Sequence, residues 1–483
     1  MPEAGLCVAC RTERVSGRCG EALCPGCMSG AREMVPWPLW LFDSLLMRRV
    51  TAERNIAAMV AVFRAASGLS QQDVGGLTGW GGQPTVSSYE RGRRDVVRLI
   101  DMVEQFADAV DMPAGALMPL MFRHPAVALA DDCVLEALRM DMDRRGFGGV
   151  AAGAATAIVL PEVPVPSQVT ASHVRYLQAC VDSLHIRDGE VGGATLLGPA
   201  LRQWQRVQRM LRESRYTEDI GRQLFAVAGG TAVCAGWLAF DGGDVALARR
   251  LYSEAQVMAD NAGDPVLTAH VLTSQSDLLS YVARMSQNGH AARESLQLTY
   301  RAADEARYER MPRLHVHIAV LNAYAASLLG DRAAFRSAIT RARRELDRGG
   351  PRADGLQWIG GVNAFHITGL EARGEVYLGG DPGASAALFG DTVADPGVSP
   401  RDRALRQAHL AAILATGGDL TEAVRQGMTV LSALEGGVAS VRTLGNLRPV
   451  RVAAGASKRA DAEEYRTRFD AAERTLNGLQ LVR

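Results

Sequence analysis

Lysine is almost absent from this chain: of 53 basic residues only Lys458 is a lysine, and the other 52 are arginine. A phosphate-binding loop of the G-x-x-x-x-G-K-[ST] type therefore has one possible anchor. Its context, Gly455-Ala456-Ser457-Lys458-Arg459, does not supply the motif, so nucleoside triphosphatases of that class are excluded. Aromatics are scarce at 6%, and 50 glycines outnumber 19 prolines, which suits close helix packing better than a β-sandwich. No uninterrupted apolar run reaches the ~18 residues of a membrane span, so no membrane partner is expected. The start, Met1-Pro2-Glu3-Ala4-Gly5, has neither a basic nor an apolar leader region, and a cytoplasmic protein is expected. Charge of one sign is also missing. The 53 basic and 53 acidic groups cancel, so any contact with nucleic acid must be local. No G-x-S-x-G, G-x-G-x-x-G or H-E-x-x-H motif stands in a suitable context, and the nine histidines are scattered. His315 and His317, two apart, would lie on different sides of a helix, not as an i, i+4 metal pair. No enzyme is expected.

What the chain does have is length and an uneven distribution of cysteine. At 483 residues it has room for roughly three domains. Five of its eight cysteines fall within the first 27 residues, whereas Cys133, Cys180 and Cys234 stand alone as small core residues. Cys7-Val8-Ala9-Cys10 and Cys24-Pro25-Gly26-Cys27 are two C-x-x-C turns separated by 13 residues. Each can present two thiolates about 2.3 Å from one Zn(II), and two turns complete a tetrahedron. Four thiolates leave no open position for water, so the expected cofactor is structural Zn(II) on Cys7, Cys10, Cys24 and Cys27. Cys19 is a spare that can replace one of the four; thiol redox chemistry or unpaired cysteines are the alternatives.

Residues 50–122 carry a second pattern. Ile56, Met59, Val60 and Phe63 recur at helical spacing, and the run stops at Ser67-Gly68. Ser70 is a good N-cap for a short helix through Gln71, Gln72, Asp73 and Val74 to about Leu77. Thr78-Gly79-Trp80-Gly81-Gly82 forms a turn, and Pro84 suits the first turn of a third helix, Gln83 to Arg91. Leu99, Val103, Phe106 and Val110 mark a fourth helix, and Met112 to Leu117 a fifth. Two short helices joined by a glycine turn can place the second in the major groove of DNA. Within residues 48–98 eight arginines face four acids, a local balance of +4 that suits phosphate contact. Gln83, Thr85 and Ser88 are the expected base readers, and Arg64, Gln71, Arg93 and Arg94 the phosphate holders. Gln72, Ser87 and Arg91 complete the candidate DNA-binding set. Glu90 is expected to be structural, pairing with an arginine or capping, and Val86 and Tyr89 to face the core.

A hinge is expected over residues 123–167, where a Gly/Ala run meets Pro161, Pro164 and Pro166. From 168 to 483 alanine-rich helical patterns recur between turn signals at Gly243-Asp244, Gly289-His290, Gly330-Asp331, Gly380-Asp381 and Gly418-Asp419. The spacing of 38 to 50 residues brackets a helical-hairpin repeat with long loops, glycine closing the first helix and aspartate capping the second. Stacked hairpins present one face lined by the first helix of each pair. Polar residues there, His270, Ser274, Asn322, Tyr324 and Asn363, are the candidate ligand-binding set.

The strings Gly68-Leu69-Ser70-Gln71-Gln72-Asp73-Val74 and Val86-Ser87-Ser88-Tyr89-Glu90-Arg91-Gly92-Arg93-Arg94 resemble the lambda-repressor-like XRE family over about 60 residues. The turn looks one residue longer than is usual there, which shifts the register of the first recognition residues. Adding the cysteines, Trp37-Pro38-Leu39-Trp40-Leu41-Phe42-Asp43-Ser44, Ala235-Gly236-Trp237-Leu238-Ala239-Phe240-Asp241 and Ala269-His270-Val271-Leu272, the whole layout is similar to actinobacterial XRE-type regulators with tetratricopeptide-like C-terminal domains. That resemblance implies an all-α protein with four parts: a zinc-binding cysteine module (1–36), a five-helix DNA-binding domain (50–122), a linker (123–167) and a tetratricopeptide-like α-solenoid (168–483). It also implies a double-stranded DNA operator, a homodimer, and a peptide or small-molecule signal on the repeats. The competing expectation is an interaction scaffold whose repeats recruit a protein partner.

Overall fold

A computed structural model describes residues 6–10, 22–32, 41–42, 44–53, 55–91, 99–110, 112, 165–349, 356–393, 395 and 397–481. Cys19, Cys133, Arg93, Arg94, the fifth helix after Met112 and the linker up to Pro164 lie outside the described residues. Among the described residues the secondary structure is helical with no β-strand, so the fold is all-α. Two compact units form, one from Met1–Leu184 with Arg206–Val227, the other from His185–Gln205 with Ala228–Arg483.

The first unit begins with α1 (Pro25–Arg32), α2 (Leu45–Ala52), α3 (Ile56–Ser67), α4 (Gln71–Thr78), α5 (Gln83–Glu90) and α6 (Leu99–Val110). Local chemistry sets these boundaries. Asn55 caps α3 by accepting from the Ala58 amide, and Gly68 ends it at φ 69° in the left-handed region. Ser70 and Asp73 form a reciprocal capping box at the start of α4. Gly79, φ 73°, closes α4, and Pro84 sits in the first turn of α5. Gly75 is required for a different reason: a Cβ there would run into the Gly81 carbonyl across the turn. The core is aromatic. Phe63 meets Phe106 edge-on at 5.0 Å, and Trp80 packs on Tyr89 at 5.4 Å and on Phe106 at 5.9 Å. Tyr176, from α7 (Ala171–Val191), completes it: the ring lies beside Phe63 and its hydroxyl donates to the Val110 carbonyl at 2.9 Å.

After α8 (Gly193–Glu213) and α9 (Glu218–Asp241), helices alternate as hairpins: α10 (Val245–Ala262), α11 (Pro265–Ser286), α12 (Gly289–Glu305), α13 (Pro312–Leu328), α14 (Arg332–Gly349), a 3-10 turn (Gln357–Ile359), α15 (Ala364–Tyr377), α16 (Pro382–Val393), α17 (Pro400–Thr416), α18 (Leu420–Glu435), α19 (Val441–Asn446), α20 (Arg448–Gly455) and α21 (Ala460–Leu481). From α10 to α18 each helix packs on the next, α18 packs on α20 and α21, and α11, α13, α15, α17 and α19 also touch in succession. Glycine lets aromatic rings lie against the neighbouring backbone. A Cβ at Gly236 would meet the Tyr252 ring at 2.5 Å, and one at Gly374 would collide with Phe335.

Three of the turn signals behave as expected. Gly243, Gly330 and Gly418 adopt φ of 87°, 76° and 85°, and Asp244, Asp331 and Asp419 cap the helices that follow. Two need correction. The turn expected at Gly289-His290 is made by Gln287, φ 51°, with Asn288 capping α12, because an Asn side chain reaches the exposed amides of His290 and Ala291 and leaves Gly289 as an ordinary first-turn residue. At Gly380-Asp381 the left-handed residue is Gly379, one position earlier. Helix α9 has the length and hydropathy of a membrane span although no unbroken apolar run exists; 72% of its most apolar window is buried inside the protein, as befits a core helix.

Candidate nucleic-acid interface and accompanying sites

Helices α4 and α5, joined by the Gly79–Gly82 turn, present a helix-turn-helix. Val86 and Glu90 are buried completely on the inner side of α5, while Gln83 is exposed at its N-terminus and Thr85, Ser87 and Ser88 are half-buried. Tyr89 is half-buried against Trp80. Gln72 and Arg91 are exposed. The first turn of α5 thus offers the Gln83 amide and the Thr85 hydroxyl, groups able to approach bases and phosphates, while Pro84 has no N–H and the Thr85 N–H donates to the Gly82 carbonyl at 3.0 Å.

Arg64 and Gln71 do something more specific than expected. Arg64 donates through Nε to Glu90 Oε1 at 2.6 Å, and Gln71 Nε2 donates to Glu90 Oε2 at 2.6 Å. The expected structural role of Glu90 is therefore visible with its partners. It ties α3 and α4 to the end of α5, with the Arg64 side chain, 19% exposed, held by Glu90 through Nε and Nη2. Asp73, beyond its capping duty, also pairs with Arg175. Burial alone would raise its carboxyl, but hydrogen bonds from Ser70 and Arg175 hold it below the usual range.

The four knuckle cysteines converge. Their sulfurs all lie within 4.8 Å of one another, and Cys10 and Cys24 are 3.8 Å apart. Tetrahedral thiolates at about 2.3 Å from a metal would be separated by about 3.8 Å. Cys7 and Cys24 are buried, and the Cys27 amide donates to Cys24 Sγ. Burial, followed by the neighbouring Cys24 and Cys7 sulfurs, pushes the Cys27 thiol up. The donor set fits a metal ion. The module is tied to α2 and α3 by Arg49 donating to the Ala9 carbonyl and Asn55 to the Val8 carbonyl at 2.6 Å.

In the second unit the candidate ligand residues part company. Asn322 is buried and donates to Thr299 Oγ1 at 2.9 Å, so it faces α12; two positions along a helix turn a side chain through about 200°, and Tyr324 faces elsewhere. Asn363 is the N-cap of α15 and also reaches Asp395. Ser274 is half-buried. His270 stacks flat on Trp358, centroids 3.7 Å apart and planes 8° from parallel. Only Tyr324 lines the recess on the face shared by the odd-numbered helices, where it meets Asp277, Tyr281, Arg284, Arg373 and Arg442.

Sequence reasoning missed those arginines and a histidine row beside them. His317 and His366 lie 6.3 Å apart, and His317 contacts Trp358. Burial holds the imidazoles of His317 and His185 at about 4 and of His366 at about 3, all neutral at neutral pH. A signal was present: His270, His317 and His366 each precede by seven residues Asp277, Tyr324 and Arg373, which puts both members on one helix face two turns apart.

Residues 56–120 match a family described as a helix-turn-helix domain. No curated protein and no solved structure matches the chain.

Proposed function

We propose that this chain is an XRE-type, sequence-specific transcriptional regulator that works in the cytoplasm as a homodimer, with α5 as the recognition helix. The observation that carries the reading is the α4-turn-α5 geometry, with Val86 and Glu90 turned inward, Gln83 exposed, and Thr85 and Ser88 half-buried. In this reading Gln83, Thr85 and Ser88 contact base edges. Gln72, Ser87 and Arg91, with Arg93 and Arg94 beyond the described segment, hold phosphates. Arg64 and Gln71 act indirectly by holding Glu90. Zn(II) on Cys7, Cys10, Cys24 and Cys27 stiffens the module against which α2 and α3 rest, and the helical hairpins, of tetratricopeptide type, join two chains and receive a small signal.

The test is binding to the chain's own promoter region across a salt series, with light scattering for the dimer. Arg91→Ala should weaken all sequences alike and flatten the salt slope by about one unit, whereas Ser88→Arg should change the preferred operator. Absence of salt-sensitive, sequence-selective binding would favour the interaction scaffold instead. A monomer protecting one half-site would remove the dimer.

A further inference from the structure

Six helices, α9, α11, α13, α15, α17 and α19, contribute side chains to one polar recess of the second unit. It holds about 30 Å³ of space for water-sized atoms, more than the roughly 10–15 Å³ that a single water needs. Three guanidiniums, Arg284, Arg373 and Arg442, line it, and Asp277 is the single carboxylate among the lining residues. Each guanidinium lies over an aromatic ring: Arg373 over Tyr324 at 4.5 Å, Arg284 over Tyr281 at 5.3 Å, and Arg442 over Trp237 at 4.5 Å. Stacking of this kind fixes the plane of the fork and leaves its edges for an acceptor.

Those edges are not all used. Arg442 is 8% exposed, and its Nε donates to the fully buried Asp241 at 3.1 Å, yet its Nη2 is buried with no acceptor. Nε of Arg284 and Nε of Arg373 are likewise buried and unpaired, although Arg284 reaches Asn446 through its other end. Buried N–H groups almost always find a partner, and three orphans on three cations around one recess point to a missing acceptor of opposite charge. The excess of positive charge is felt by its neighbours. After burial, the guanidiniums of Arg373, Arg284 and Arg442 hold the His409 imidazole well below its ordinary range. Burial raises the Tyr324 phenol, but Arg373 and Arg284 outweigh it and leave it below its ordinary value.

We infer that this recess is an anion-binding site that takes the carboxylate or phosphate group of a small ligand, held by Arg284, Arg373 and Arg442 with the Tyr324 hydroxyl beside them. A planar fork matches either oxyanion, and the aromatic and imidazole row formed by Trp358, His270 and His317 begins two helical turns away on the same helix faces. The inference gives a chemical class to the signal in the functional reading above, and rests on that reading only for its effect on DNA.

Calorimetry and thermal melting on the full-length protein, at constant ionic strength with chloride as the balancing anion, test it with inorganic phosphate and with succinate as separate probes. At least one should bind and raise the melting temperature, and the stronger probe tells phosphate from carboxylate recognition. Arg373→Gln should weaken that binding by roughly tenfold or more, with parent and variant compared at a temperature at which both are folded. Arg284→Gln serves the same purpose should Arg373→Gln fail to fold. No binding of either probe to the parent, or equal binding by parent and variant, overturns the site. Operator binding with and without the probe is read separately. Anion binding with unchanged DNA affinity keeps the site and removes its regulatory role; loss of DNA binding altogether removes the regulator reading alone.

Discussion

The two units treat buried charge in opposite ways. In the first, the one fully buried carboxylate of the helix-turn-helix, Glu90, accepts from Arg64 and Gln71 and is matched donor for acceptor. In the second, Asp188, Asp241 and Arg401 form an equally buried network with Trp237, Ser440 and the Gly193 amide, but the adjoining recess is left with more cation than anion. Matched charge at a helix junction fixes geometry. Unmatched charge at the meeting of six helices is of no use to the fold alone, and it marks the place where a ligand can add stability. Polar groups that hold the protein thus differ from those left open to a ligand.

The largest effect should come from the cysteines, because the first module has few other sources of order. Replacing Cys24 and Cys27 together with Ser, or chelating the metal, should release about one equivalent of zinc and unfold the segments 6–10 and 22–32. Structural zinc in small modules contributes about 10–16 kcal/mol. Elemental analysis with limited proteolysis reads this, and a metal content well below one equivalent in the parent would contradict it. Next is Glu90→Ala, which strands Arg64 and should lower stability to denaturant by roughly 3–5 kcal/mol. A loss below 1 kcal/mol would show that the match is not needed.

Acid should then weaken the second unit more than the first, where His173 is held at about 4 by burial. The imidazoles of His185, His317 and His366 are depressed in the native state to about 4, 4 and 3, whereas an unfolded histidine titrates near 6.5. Between about pH 6.5 and 4 the unfolded chain binds more protons, so stability is full above 6.5 and is lost as the pH falls. Each histidine contributes up to about 1.4 kcal/mol per pH unit. Asp188, pushed up to about 6 by burial, opposes one of them across much of that window. Denaturation followed at pH 7 and pH 5 should show the second unit weakening; an unchanged midpoint would mean the row is already charged. The smallest effect expected is that of Asn322→Ala, about 1–2 kcal/mol for a buried hydrogen bond to Thr299, with anion binding unaltered. A change in anion affinity would return Asn322 to the ligand site.

What could be read from sequence was local. The Ser70 cap, Pro84 in the first turn, the inward Val86 and the C-x-x-C pairs each follow from neighbours a few residues apart, and the all-α class from composition and period. What escaped was assembled from distance. Glu90 meets Arg64 across 26 positions and Arg442 meets Asp241 across 201, and no spacing rule links such residues. Asn322 and Tyr324 are both polar residues on one helix, but the angle between them sends one into the packing against α12 and the other into the recess. The turn lies at Gln287 and not at Gly289 because the Asn288 side chain caps α12.

Tyr176 has a consequence for the order of events during synthesis. It closes the aromatic core of the helix-turn-helix and satisfies the Val110 carbonyl, yet it is 66 residues further along the chain. At about 5–20 residues per second, Phe106 is synthesised roughly 4–14 seconds, and Phe63 roughly 6–23 seconds, before Tyr176 exists. For that interval the nascent domain carries an open apolar wall, a surface suited to a chaperone, and a protein truncated after residue 120 would carry it permanently.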